Sequence, residues 1–112
     1  MGAPAAGAIV LVLFPFSDLS QTKVRPAVVL ADAGRGDCIP CQITSKPYSD
    51  ANAIELTNAA FATGSLRVTS YARPAKLFTA NQNLITSQVG QLAPATLRSI
   101  AQAVANIITA GG

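Results

Sequence analysis

At 112 residues the chain has room for one domain, 1–112, and not for two. Half of it is apolar but only 12% is charged, an unusually uncharged surface for a soluble domain, which predicts a homodimer that hides apolar surface between subunits. The net charge of +3 permits a polyanionic partner without demanding one, and the absence of histidine excludes a Ser-His-Asp triad and any His-containing zinc site.

Residues 1–7 form a loose start. Residues 9–14 are continuously apolar and β-branched, as in a strand buried on both faces. The run over 8–16 contains Pro15 and is far too short for a membrane span. No basic segment and cleavage site of a secretory signal accompany it, so the expected location is cytoplasmic, with no membrane partner. Residues 16–22 are polar and turn-forming. A second strand is expected over 27–30, a turn over 31–37, a third strand over 38–44 and a loop over 45–53. A short strand over 54–56 precedes Gly64, and the alternation over 66–70 predicts a half-buried strand. Residues 71–78 continue extended, with Pro74 marking an edge or a bulge. Residues 79–86 are turn-like or a single helical turn, and 89–92 a last short strand. The clear helix spans 94–108: Pro94 suits a first turn, and Leu97, Ile100, Ala101, Val104, Ile107 and Ile108 make one apolar stripe. Six or seven short strands with one terminal helix predict a mostly β fold, a small SH3-like partly open β-barrel with a C-terminal α-helix.

Cys38 and Cys41 have the C-x-P-C spacing of a redox motif. They run into a strand and do not open a helix, so the dipole that would lower a thiol pKa is missing. Three residues apart on a strand, they face opposite sides and resist bridging. Two cysteines without histidine also make a poor metal site, and no metal or cofactor is expected.

The basic residues Lys23, Arg25, Lys46, Arg67, Arg73 and Lys76 recur along the chain and would form a patch if the fold gathered them. Arg25-Pro26 fixes a guanidinium at a strand mouth, where it can fork onto phosphate oxygens or make a surface ion pair. Thr44-Ser45-Lys46 places two hydroxyls and an ammonium at a strand end, suited either to phosphate or to a capped turn. Arg73 and Lys76 either complete a basic groove or stay solvated.

Several of these pieces together resemble one family. Residues 9–12 (IVLV), 14–18 (FPFSD) and 23–30 (KVRPAVVL) look like the opening of MazF/PemK-type toxins of bacterial type II toxin–antitoxin systems. The likeness continues through CQITS at 41–45, GSL at 64–66, SYAR at 70–73, KLFT at 76–79 and VGQL at 89–92, and covers nearly the whole chain. It implies a homodimeric β-barrel of the CcdB/PemK type that cuts single-stranded RNA, often mRNA, without a metal. It also implies a cognate antitoxin whose disordered acidic tail folds across the RNA groove, with DNA binding by the complex. By the same resemblance, Arg25 matches the catalytic arginine, Thr44 the catalytic threonine, Ser45 the adjacent hydroxyl and Arg73 a further basic residue of the site. RNA contacts are expected from the loop residues Phe16, Ser17, Asp18, Ser20 and Gln21, and from Lys23, Gln42, Lys46 and Lys76.

Two departures matter. Gly7-Ala8 stands where relatives have Gly-Asp, and Ala75 stands where many carry an acid used in proton transfer. The resemblance also leaves two rivals: a non-enzymatic toxin that binds DNA gyrase, and a degenerate member that binds RNA or antitoxin without efficient cleavage.

Overall fold

The first strand, β1 (Ala8–Pro15), has no polar face. Ile9 joins a buried cluster with Val28, Cys41, Ile43, Leu56, Ala72, Leu92 and Ile100. Ala8, Val10 and Val12 join a second cluster with Ala27, Val29, Cys38 and Ala80. Successive strand residues point to opposite faces, so the unbroken apolar run belongs to a strand covered on both sides. These relationships come from a computed structural model, which describes residues 4–15, 22–47 and 50–110.

β1 pairs antiparallel with β2 (Thr22–Gly34), which pairs with β3 (Asp37–Thr44). The β2–β3 turn is tight: Arg35 and Gly36 both have positive φ, 57° and 81°, the geometry that suits the twist of a two-residue hairpin. β4 (Ile54–Leu56) leads through a 3₁₀ turn at Asn58–Ala60 into β5 (Phe61–Gly64). β6 (Ser70–Leu77), β7 (Ala80–Asn81), a 3₁₀ turn at Gln82–Leu84 and β8 (Ile85–Leu92) follow. α1 (Pro94–Ala110) closes the chain. The strand order is β4-β6-β3-β2-β1-β8-β5, with β7 added against β3. The short β4-to-β5 connection curls the two ends of the sheet toward each other into a nearly closed barrel, the mostly β architecture with a C-terminal helix that the sequence predicts.

Both clusters have identifiable covers. Ile100 of α1 is fully buried in the first cluster, and Phe78 and Ile85 pack against the second. β5 lies so close to β8 that a Cβ on Gly64 would run into the Val89 carbonyl and the Gly90 Cα. Gly64 also has φ +70°, so glycine is required there on both counts.

Several boundaries differ from the sequence reading. β2 continues through residues 31–34, which the two glycines suggested as turn. Residues 65–69 are not a strand: Ser70 Oγ donates to the Val68 carbonyl at 3.0 Å, a local bond that turns the chain, and the half-buried Leu66 packs on the core from a loop. β5 was not anticipated: only Phe61 of its four residues is partly buried, so no alternation of apolar and polar residues marks it. The apolar stripe of α1 is only partly used: Ile100 is buried, Leu97, Val104 and Ile107 are half-buried, Ala101 is exposed and Ile108 is 66% exposed. Pro74 does mark an irregularity. The β3–β6 register shifts between Cys41↔Leu77 and Ile43↔Ala72, so the segment holding Pro74 bulges where its missing N–H breaks no regular ladder.

Candidate functional site

The register of three adjacent pairings assembles a row of side chains. Ala27 faces Gln42 at the end of the β2–β3 ladder, and Arg25 and Thr44 each lie two residues beyond that pair, on the same face of their strands. Thr44 is the direct partner of Tyr71 on β6, and Tyr71 is the direct partner of Glu55 on β4. Opposed residues in a sheet share a face, so Thr44, Tyr71 and Glu55 form one lateral row with steps of about 4.8 Å, and Arg25 lies on the same face of the neighbouring strand β2. The row extends the face that carries the second apolar cluster, beyond the point where that cluster ends. Arg25 and Glu55 are exposed, and Thr44 and Tyr71 half-buried. Pro26 holds Arg25 in extended backbone, which fixes where its guanidinium starts from.

Each member has local support. The Thr44 hydroxyl accepts from the Lys46 backbone N–H at 3.1 Å and donates to the Lys46 carbonyl at 3.2 Å. The Thr44-Ser45-Lys46 segment is therefore a capped turn, which also presents the Thr44 oxygen at a defined point beside the row. Tyr71 donates its phenolic O–H to Glu55 Oε2 at 3.4 Å.

A second constellation sits beside the first. Arg73 Nε donates to Asp50 Oδ2 at 2.8 Å, while Asp50 Oδ1 accepts from the Asn52 N–H at 2.9 Å. Hydrogen bonding from Arg73, then from the Asn52 backbone, lowers the Asp50 pKa, and the charge of Lys76 adds to it. Arg73 and Lys76 thus both act on one carboxylate. The Arg73–Asp50 bond uses one of five guanidinium donors.

The cysteines lie beneath this surface. Cys38 belongs to one buried cluster and Cys41 to the other, and both are free, as opposite orientation on β3 requires. Cys41 Sγ donates to the Arg73 carbonyl at 3.0 Å, tying β3 to the bulge of β6. Burial pushes the Cys41 thiol up to about 12. Burial, then the charges of Asp37 and Asp32, raises Cys38. Among the described residues no three His, Cys, Asp or Glu side chains gather as metal ligands.

Of the residues singled out in the sequence, Arg25, Thr44 and Arg73 lie on neighbouring strands at one end of the sheet. Ser45 and Lys46 are exposed in the adjoining turn, and Lys76 is exposed on β6. Gln42 is half-buried across from Ala27, and Lys23 sits on β2 across from Phe14. Phe16, Ser17, Asp18, Ser20 and Gln21 fall outside the described residues. Arg67 does not join the group. It lines a separate cavity of about 240 Å³ with Leu56, Thr57, Phe61 and Leu66.

Asp50, Glu55 and Tyr71 were missed as site residues. Tyr71 and Arg73 stand two apart in an extended segment, and that alternation could have placed both on one face. Glu55 carries no such signal, because only the β4–β6 pairing brings it there.

Residues 5–108 match the family described as PemK-like, MazF-like toxin of type II toxin–antitoxin system. The fold is that of several solved structures. A Deinococcus radiodurans MazE–MazF complex superposes with a TM-score of 0.77 at 17% identity, over 96% of this chain and 97% of that one. An endoribonuclease in complex with its cognate antitoxin, from a mycobacterial species, gives 0.74 at 16% identity, over 96% of each chain. Mycobacterium tuberculosis toxin MazF-mt6 gives 0.70 at 18% identity, over 91% of this chain and 96% of that one. A search of curated sequences finds no relative.

Proposed function

Because the chain belongs to the PemK-like, MazF-like toxins of type II toxin–antitoxin systems, we propose that it is a metal-independent endoribonuclease that cuts single-stranded RNA at a short sequence. What supports this reading is the family, together with Arg25 and Thr44 lying on the paired strands β2 and β3, each two residues beyond the Ala27–Gln42 pair. A permanently charged fork and a hydroxyl on neighbouring strands of one face suit the recognition of a phosphate.

The ribose 2′-hydroxyl attacks the adjacent phosphorus in line. The P–O5′ bond breaks, and a 2′,3′-cyclic phosphate and a 5′-hydroxyl remain. DNA lacks the nucleophile and is spared. Charge grows on the non-bridging oxygens as phosphorus becomes five-coordinate. Arg25 stabilises that charge with paired N–H donors and is too weak an acid to serve as a base. The Thr44 hydroxyl turns its proton from the Lys46 carbonyl to a phosphate oxygen, and Ser45 adds a second hydroxyl. Arg73, steadied by Asp50, supplies positive charge beside the site, with Lys46 and Lys76 along the RNA backbone. Gln42, Lys23 and the segment holding Phe16, Ser17, Asp18, Ser20 and Gln21 make the remaining RNA contacts.

Two of the similar structures are complexes with an antitoxin. By analogy, the partner of this chain is a cognate antitoxin whose acidic tail occupies the same groove. Homodimerisation follows from the uncharged composition and from large apolar side chains left exposed, including Val68 at 59% and Ile108 at 66%. Among the described residues no helix is long and apolar enough to cross a membrane.

The test is to incubate purified protein with a long single-stranded RNA in EDTA and to map the product ends. Discrete cuts bearing 2′,3′-cyclic phosphates are expected. Intact RNA with trapped gyrase–DNA complexes in treated cells would replace this reading with the gyrase one.

A further inference from the structure

The cleavage proposed above uses Arg25 and Thr44, at one end of the face that carries the row. Tyr71 and Glu55 follow Thr44 on the same face in strict register. We infer that Tyr71 and Glu55 form a base-recognition subsite that selects guanine at a nucleotide flanking the cut. This rests on the ribonuclease reading above for the location of the scissile phosphate.

Three observations converge. The first is distance along the row. Glu55 lies two strand steps from Thr44, about 10 Å, comparable with the separation between a phosphate and the Watson–Crick edge of its own base. The second is the order of chemistries. Splayed-out RNA bases stack on aromatic rings and are read along their hydrogen-bonding edges. Here a half-buried aromatic ring stands between the phosphate donors and an exposed carboxylate, the sequence in which a nucleotide presents phosphate, base plane and base edge. The third is the Tyr71–Glu55 hydrogen bond of 3.4 Å. It is long for an O–H···O bond, so it sets Tyr71 beside Glu55 while the carboxylate keeps Oε1 and a further lone pair to accept from a ligand.

An ionised carboxylate only accepts. Guanine alone presents two adjacent donors, N1–H and the N2 amino group, on its Watson–Crick edge. Adenine and cytosine each present one donor beside an acceptor, and uracil presents one donor between two acceptors. A Glu55 carboxylate therefore pairs fully with guanine and meets a lone pair in every other case. Glu55 makes no contact with the reacting atoms and sets only which base is accepted.

The test compares wild type with Glu55→Gln, Tyr71→Phe and Tyr71→Ala. A long RNA is cut and its ends sequenced, and the affinity for a non-cleavable 2′-deoxy-substituted oligonucleotide is measured with each base in turn at the subsite position. Wild type is expected to favour guanine. Glu55→Gln, which presents a donor as well as an acceptor, is expected to lower that preference by about tenfold, the scale of one good bidentate base contact. Tyr71→Phe keeps the preference with reduced strength, whereas Tyr71→Ala raises KM and leaves kcat at a saturating level. Circular dichroism establishes that each variant is folded. An unchanged base profile in Glu55→Gln, or no guanine preference in wild type, overturns the subsite. If wild type cuts nothing yet binds guanine-containing oligonucleotides through Glu55, the subsite stands and the ribonuclease reading falls.

Discussion

Arg73 is held by Asp50, Nε to Oδ2 at 2.8 Å, across a connection of 23 residues. The acid beside this arginine comes from the β3–β4 loop, and not from position 75, where the sequence places alanine. Only 9% of the Asp50 side chain and 26% of that of Arg73 are exposed, so the pair packs the loop against β6.

Asp50→Asn keeps an oxygen for the Asn52 N–H but loses the ionic partner of Arg73. RNA cleavage should fall by no more than about fivefold, the scale of a partly solvated ion pair. The pH dependence has a definite sign. The Asp50 pKa is lower in the folded protein, so its stabilising effect is complete above the unfolded value, about pH 4. It disappears as pH falls through the lowered folded value. Urea midpoints of wild type and Asp50→Asn should differ at pH 6 and converge toward pH 2. A gap that is constant over this range would contradict the assignment.

Thr44 separates a chemical role from a structural one. Thr44→Val removes both bonds to Lys46, with about 1 kcal/mol of stability, and also the hydroxyl proposed as a donor to the reacting phosphate. Cleavage should drop about 100- to 1,000-fold. Thr44→Ser, which keeps the oxygen, should retain most of both. Single-turnover cleavage and urea unfolding measured on the same preparations distinguish the two effects, and equal activity in both variants would remove Thr44 from the mechanism.

The thiols should be inert while the protein is folded. Thiolate is the reactive form, and burial holds Cys41 at about 12 and raises Cys38. A disulfide-exchange reagent at pH 8 should label neither in the native protein and both in denaturant. The double variant with Cys38→Ser and Cys41→Ser should cut RNA at the wild-type rate while losing stability, roughly 1–3 kcal/mol for each hydroxyl placed in an apolar cluster. Cys41→Ser loses less, since serine can still donate to the Arg73 carbonyl.

The parts of this molecule legible in its sequence are those governed by local pattern. The apolar run of β1, the alternation of β3 that sends Cys38 and Cys41 to opposite clusters, and the Pro94 start of α1 depend on near neighbours along the chain. Arg25 and Thr44 stood out because a Pro and a strand end mark them. What escaped depends on pairing between distant segments. Glu55 enters the row only because β4 lies beside β6, and Asp50 reaches Arg73 only because the loop folds back. The exposed end of α1 shows the opposite error: a 3.6-residue period predicts an apolar stripe without saying how much of it the rest of the chain covers.

Arg25 is the residue on which the proposed chemistry depends most directly. Its side chain is exposed and outside both buried clusters, so Arg25→Ala should fold as wild type does. The decisive measurement is the single-turnover rate of RNA cleavage in EDTA for wild type and Arg25→Ala, with folding followed by circular dichroism. Wild type should cut undiminished by the chelator, and the variant should lose at least about 100-fold in rate with an unchanged spectrum. Cleavage by Arg25→Ala at the wild-type rate, or wild-type cleavage that stops when metal is removed, would contradict the proposed chemistry.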